Sequence, residues 1–198
     1  MPARRLLPAI FGAGLLAACS TTTDTLIDAP PSSTTQPPAA PVLELGDFDP
    51  AGEFQVFNPC TEIPAEVLEA AGLGEAVGEP SYDRGLSASC SFLPLDDSVR
   101  GYFSLTGDRV PKDRIKERSL LLSDSAGSAY SDTYLHHMGA DFPDECSAAI
   151  HTNRGRFVVQ YTEISTKQER TALCEIATEK FDTILNLMGE SNGDFYRP

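Results

Sequence analysis

Four cysteines, Cys60, Cys90, Cys146 and Cys174, occupy the part of this chain that has the composition of a folded domain. Ahead of them Arg4 and Arg5 precede an apolar run, Leu6 to Leu16, that is too short for a stable membrane span and reads as an export signal. In an exported domain an even set of cysteines favours a disulfide framework, and four thiols allow three connectivities. Cys60 opens a helical stretch, Cys90 lies on the apolar face of a strand, Cys146 starts a hairpin and Cys174 falls in the last helix. Pairing neighbours, Cys60 with Cys90 and Cys146 with Cys174, ties a helix to a strand each time. Each bridge closes a loop of moderate length and adds roughly 3 to 4 kcal/mol in the chain-entropy model. A redox pair or a metal site is the alternative, and neither has the close C-x-x-C spacing it needs.

The fifth cysteine is of another kind. Leu16-Ala17-Ala18-Cys19 closes the leader as a lipobox: the small residues suit a signal peptidase, and the Cys19 thiol becomes both the new N-terminus and the point of lipid attachment. The expected partner is the membrane, reached through the lipid on Cys19, on the extracytoplasmic face of the cell membrane. An ordinary secretory leader with an incidental Cys19 is the plainer alternative. Arg4-Arg5 also hints at twin-arginine export, though basic pairs are normal in such leaders. From Ser20 to Pro41 the chain is Ser, Thr, Pro, Ala and Gln with little else, so it can bury no core and reads as a disordered, partly polyproline tether. Fully extended it would reach about 70 Å, and as a coil about 25 Å. Its composition also suits O-glycosylation. The expected organisation is a signal peptide over 1–18, a lipidated tether over 19–45, one globular domain over 46–190 and a flexible tail over 191–198.

Within the domain, Val42 to Phe57 reads as an extended lead-in that docks on the rest. Pro64 to Ala71 reads as a short helix stopped by Gly72. Leu86, Ala88, Cys90 and Phe92 alternate with Ser87, Ser89 and Ser91, which predicts a strand with an apolar face inward and a wet hydroxyl face outward. Pro94-Leu95-Asp96-Asp97 then makes a turn into a strand over Val99 to Leu105. Pro111 to Leu122 predicts a helix and Ala129 to His137 a strand. Cys146–Thr152 and Arg156–Glu163, joined by Asn153-Arg154-Gly155, predict a hairpin with Phe157, Val159 and Tyr161 on one face. The last helix opens on the capping box Thr166-Lys167-Gln168-Glu169 and repeats Leu173, Ile176, Ala177, Ile184, Leu187 and Met188 until Gly189 stops it. The fold class expected is α+β: an antiparallel sheet with N- and C-terminal helices packed on one face, disulfide-stapled.

Phe57-Asn58-Pro59-Cys60, the short helix ending at Gly72, Cys90-Ser91-Phe92 and the two later cysteines together resemble an actinobacterial lipoprotein family, domain of unknown function three-five-five-eight. Members tend to show an F-x-P-C opening and a later C-S-aromatic strand, often with Trp where this chain has Phe92. The resemblance covers roughly residues 54–188. It implies a lipid-anchored envelope protein and carries over the four cysteines as structural positions, with no catalytic residue.

The candidate chemistry is thin. His136, His137 and His151, near Asp141, Asp144 and Glu145, are the residue types of a metal site, but adjacent strand residues face opposite ways, and solvated loop histidines are the expected outcome. Gly127-Ser128-Ala129 and the Ser87, Ser89, Ser91 row offer hydroxyls without a nucleophile elbow. Asp96-Asp97 reads as a turn, and Asp141 with Asp144-Glu145 as a solvated loop. H-E-x-x-H, P-loop and G-x-G-x-x-G motifs are absent, and no catalytic residue, metal or cofactor is expected. The chain carries 15 basic and 29 acidic residues, a net charge of −14 that becomes −16 when Arg4 and Arg5 leave with the signal, which argues against nucleic acid. The basic cluster Lys112 to Arg118 is interrupted by Asp113 and Glu117 and reads as a helix surface of mixed charge. The function expected is therefore an accessory or binding module that engages an envelope protein, lipid or glycan. The alternative is an envelope hydrolase or metal-dependent enzyme, which would need a deep pocket bringing His136 or His151 to Asp141 or Glu145.

Overall fold

The structure, a computed structural model, describes residues 43–164 and 168–192. Cys19, the leader and Thr166-Lys167 of the expected capping box lie outside the described residues. The chain runs α1 (Pro59–Glu62), α2 (Ala65–Ala70), β1 (Leu73–Ala76), β2 (Ser81–Asp83), β3 (Ser87–Pro94), β4 (Gly101–Asp108), α3 (Lys112–Glu117), β5 (Leu121–Ser123), β6 (Tyr134–His136), β7 (Glu145–Thr152), β8 (Gly155–Glu163) and α4 (Arg170–Asn192). All eight strands join one antiparallel sheet in the order β1-β3-β4-β8-β7-β6-β5, with β2 pairing the other end of the β3 edge. The α+β class and the covered face are as the alternation and helical periods imply.

One face of the sheet carries the core. Cys90, Phe103, Leu105, Cys146, Ala148, Ile150, Phe157, Val159 and Tyr161 point to it, and Val67 and Ala71 of the α2 region and Leu173, Ala177, Phe181, Ile184 and Met188 of α4 close over them. The period of 2 in the strands and 3.6 in α4 meet here, so both put their apolar residues into one layer. Cys60–Cys90 and Cys146–Cys174 are disulfides with Cα separations of 5.7 and 4.9 Å, and each ties a helix to a strand beneath it. Folded chain reaches back to Leu43, which is fully buried ahead of the expected boundary at 46. The lead-in bridges Leu45 to Thr152 and donates from Gly46 N–H to the His151 carbonyl, so it docks on the β7–β8 hairpin.

The Phe57-Asn58-Pro59-Cys60 motif has a local explanation. Phe57 is buried edge-on against Phe157, Asn58 Oδ1 accepts the Cys60 N–H at 3.1 Å as an N-cap, and Pro59 takes the first helical position. Glu62 reaches back to the Asn58 N–H at 2.9 Å and closes the cap from the other side. The bend needs Gly107 beneath it, since a Cβ there would collide with the Phe57 carbonyl.

Several expectations need correction. Leu86 is exposed and lies ahead of β3, because it belongs to a hairpin turn. The serine row is not simply wet: Ser89 bonds Thr106 and Ser91 bonds Ser104, a cross-strand hydroxyl ladder on the face away from α4. Leu120 to Leu122 do not extend α3, which ends at Glu117; Ser119 turns the chain at φ 58° and Leu121 pairs with His136. Gly189 does not stop α4, which runs through it to Asn192.

Candidate functional site

The face of the sheet away from α4 holds the histidines, in a polar layer that is far from solvated. His136 is 5% exposed, and its Nε2 lies 3.3 Å from Arg156 Nη1 while its Nδ1 faces the His137 carbonyl at 3.5 Å. A guanidinium can only donate, so Nε2 accepts and the imidazole is neutral. Burial first, and the Arg156 charge second, push the His136 pKa down to about 3. Arg156 in turn is held by Asp108 through bonds of 3.0 and 2.5 Å. Burial works against the Arg156 charge, and the Asp108 carboxylate outweighs it, leaving the pKa raised.

His151 accepts the Lys112 N–H on Nε2 at 3.1 Å, so it caps the start of α3 where Pro111 offers no side-chain cap, and its Nδ1 faces Asp47 at 3.2 Å. Both ring nitrogens of each of these histidines are thus committed to the fold. Glu145, expected in a solvated loop, is buried at the start of β7; it accepts the Met138 N–H at 2.7 Å, and burial raises its pKa. Asp141 stays exposed in its loop. Among the described residues no hydrogen bond or ion pair joins His136 or His151 to Asp141 or Glu145. Among the described residues no group of three or more His, Cys, Asp or Glu is spaced to hold a metal ion. Ser128 donates to Asp182 at 2.5 Å and accepts from the Tyr130 N–H, pinning its loop to α4.

A half-open cleft of about 390 Å³ lies elsewhere, between the lead-in and the β2–β3 hairpin. Phe54, Gln55, Val56 and Asn58 form one wall, Tyr82, Arg84 and Gly85 the other, and Ser87, Ala88 and Arg109 the base. Arg109 stacks 3.9 Å over the Phe54 ring and donates to the carbonyls of Gly52 at 2.7 Å and Phe54 at 2.5 Å, which curls the lead-in into a wall. The opposite wall is a tight turn. Arg84 and Gly85 both take positive φ, 40° and 77°, and Leu86 N–H donates to the Asp83 carbonyl at 2.5 Å, as two-residue hairpin turns require. Tyr82 stands 56% exposed on its rim. The expectations from sequence did not include Phe54, Tyr82, Arg84 or Arg109. Their only signal was Asp83-Arg84-Gly85, a turn tripeptide preceded by a strand, β2, too short and too exposed to alternate.

The described residues thus form a doubly stapled α+β domain in which His136 and His151 are hydrogen-bonded into the fold, with a cleft of arginine and aromatic side chains beside the lead-in. The family described as "Protein of unknown function (DUF3558)" matches residues 14–186, and the chain belongs to it. No curated protein and no solved structure matches the chain.

Proposed function

We propose that this chain is a lipid-anchored, extracytoplasmic binding module of the bacterial cell envelope. The observation that carries the reading is the cleft itself: its walls hold aromatic, apolar, amide, hydroxyl and guanidinium groups, with no carboxylate, imidazole or thiol among the lining residues to activate the Ser87 or Tyr82 hydroxyl. Turnover needs an acid, a base or a nucleophile held against a shaped surface, whereas capture needs only contact area and a few oriented donors. Support for the location comes from the Leu16-Ala17-Ala18-Cys19 leader and from two disulfides, which suit an oxidising compartment.

The test is complementation of a deletion strain with full-length variants that are checked for folding and anchoring. Tyr82→Ser combined with Phe54→Ser strips the walls and should abolish rescue, while His137→Gln should rescue as the wild type does. The reverse pattern would replace the binding reading with a catalytic one. Anchoring is tested beside it: Cys19→Ala should move the protein out of the detergent phase, and unchanged partitioning would overturn the lipobox.

A further inference from the structure

Arg84 and Arg109 are the charged residues of the cleft, on a chain whose net charge is −14. Neither forms an ion pair among the described residues, although Asp83 precedes Arg84 and Asp108 precedes Arg109 in the sequence. This contrasts with Arg154, which is bidentate to Glu62, and Arg156, which is bidentate to Asp108. The two arginines at the base of the fold are neutralised internally; the two at the cleft are left for something else. Arg109 is neutralised only in part, by carbonyl dipoles, and its Nε is buried with no partner. Arg84 sits at the tip of the two-residue turn and lines the same cleft as Arg109.

We infer that the cleft takes a phosphate ester, its anionic oxygens between Arg84 and Arg109 and its organic body against Tyr82 and Phe54. Guanidinium is the group suited to planar, multidentate recognition of such oxyanions, and an exposed tyrosine beside it supplies a flat face for a sugar or glycerol unit. The inference rests on the binding reading above. Phosphate esters reach an envelope protein either as soluble sugar phosphates or as phosphodiester lipid headgroups, and the same two arginines serve both.

The experiment is a titration of the purified full-length protein in non-ionic detergent, followed by the amide resonances of Tyr82, Arg84 and Gly85. The probes are glucose 1-phosphate, glycerophosphoglycerol as the deacylated lipid headgroup, and glucose as the neutral control. Saturable shifts with either phosphate, weakened by added salt and absent with glucose, are the expected result. Tighter binding of the first identifies the soluble ester, and of the second the headgroup. Because Arg109 also holds the lead-in wall, Arg84→Gln carries the test, and it should weaken binding about tenfold. Arg84→Gly removes the charge while relaxing the turn, and should weaken binding equally. Binding of glucose as tight as that of the esters, unaltered affinity in both Arg84 variants, or no shift with either ester would overturn the phosphate. The binding module itself would survive any of these if Tyr82→Ser with Phe54→Ser still abolishes rescue.

Discussion

His136 shows how far a single side chain can depart from its expected setting. Two adjacent histidines before a Gly-Ala-Asp loop read as solvated, yet the short strand β6 carries His136 into the sheet beside β7 and against Arg156. The groups facing it are Arg156 from β8, Tyr134 and His137 from its own segment, and Asp108 from β4 behind the guanidinium. The consequence for stability has a definite sign. Unfolded, the imidazole takes a proton near pH 6.5; folded, it resists until about pH 3. Its contribution is therefore fully present above pH 6.5 and is lost as the pH falls toward 3, at up to about 1.4 kcal/mol per pH unit. Glu145 acts in the opposite sense, because burial raises its pKa: its contribution is present below the ordinary carboxylate value of 4.5 and lost as the pH rises through the raised one. Urea midpoints should fall more, or rise less, from pH 7 to pH 5 in the wild type than in His136→Gln, since Glu145 contributes in the opposite sense to both. The same pH dependence in both proteins would show that His136 is not held neutral.

Among the helices, α1 is the shortest and depends most on its cap. Its four residues make almost no helix of their own, so the Asn58 cap and the Glu62 return bond define it, and Glu62 simultaneously takes the Arg154 guanidinium. Asn58→Ala should cost about 1 kcal/mol in denaturant unfolding, and Asn58→Asp should restore most of it. An unchanged midpoint in Asn58→Ala would mean that the Cys60–Cys90 bridge alone shapes this turn. The long elements were legible in the sequence because their patterns are redundant. β3, β7 and β8 each repeat the period of 2, and α4 repeats 3.6 over several turns, so one exposed or odd residue does not hide them. The short ones were hidden for physical reasons. β1, β2 and β5 have three or four residues, too few for a period, and are held by pairing with partners distant in sequence. Leu120-Leu121-Leu122 carries helical propensity, but Leu121 finds His136 across a sheet edge, and tertiary pairing overrides the local preference. The cleft was illegible for the same reason: its walls come from the lead-in and from the turn that joins the short, exposed β2 to β3.

At the scale of the molecule the two disulfides divide the labour. Cys60–Cys90 closes 30 residues in the first half and Cys146–Cys174 closes 28 in the second. Loops of such similar size should each contribute about 3.5 kcal/mol by chain entropy, so the paired alanine replacements should lower stability by comparable amounts. Non-reducing peptide mapping should recover these two linkages, and crossed linkages would refute the framework. The pairing of neighbours is the one expected from sequence, although the helix and strand positions alone would also have allowed Cys60–Cys146 with Cys90–Cys174. What joins the halves is the β4–β8 ladder, paired from Gly101 with Glu163 to Asp108 with Arg156, without a covalent link. The lead-in adds a mechanical property to this plan. A pull arriving along the chain from before Leu43 meets the Leu45–Thr152 bridge and the Glu44–Asn153 bonds first, several residues ahead of Phe54. These contacts act as a strain relief, like the clamp where a cable enters its housing: tension arriving along the chain ahead of Leu43 meets the β7–β8 hairpin before it reaches the wall of the cleft.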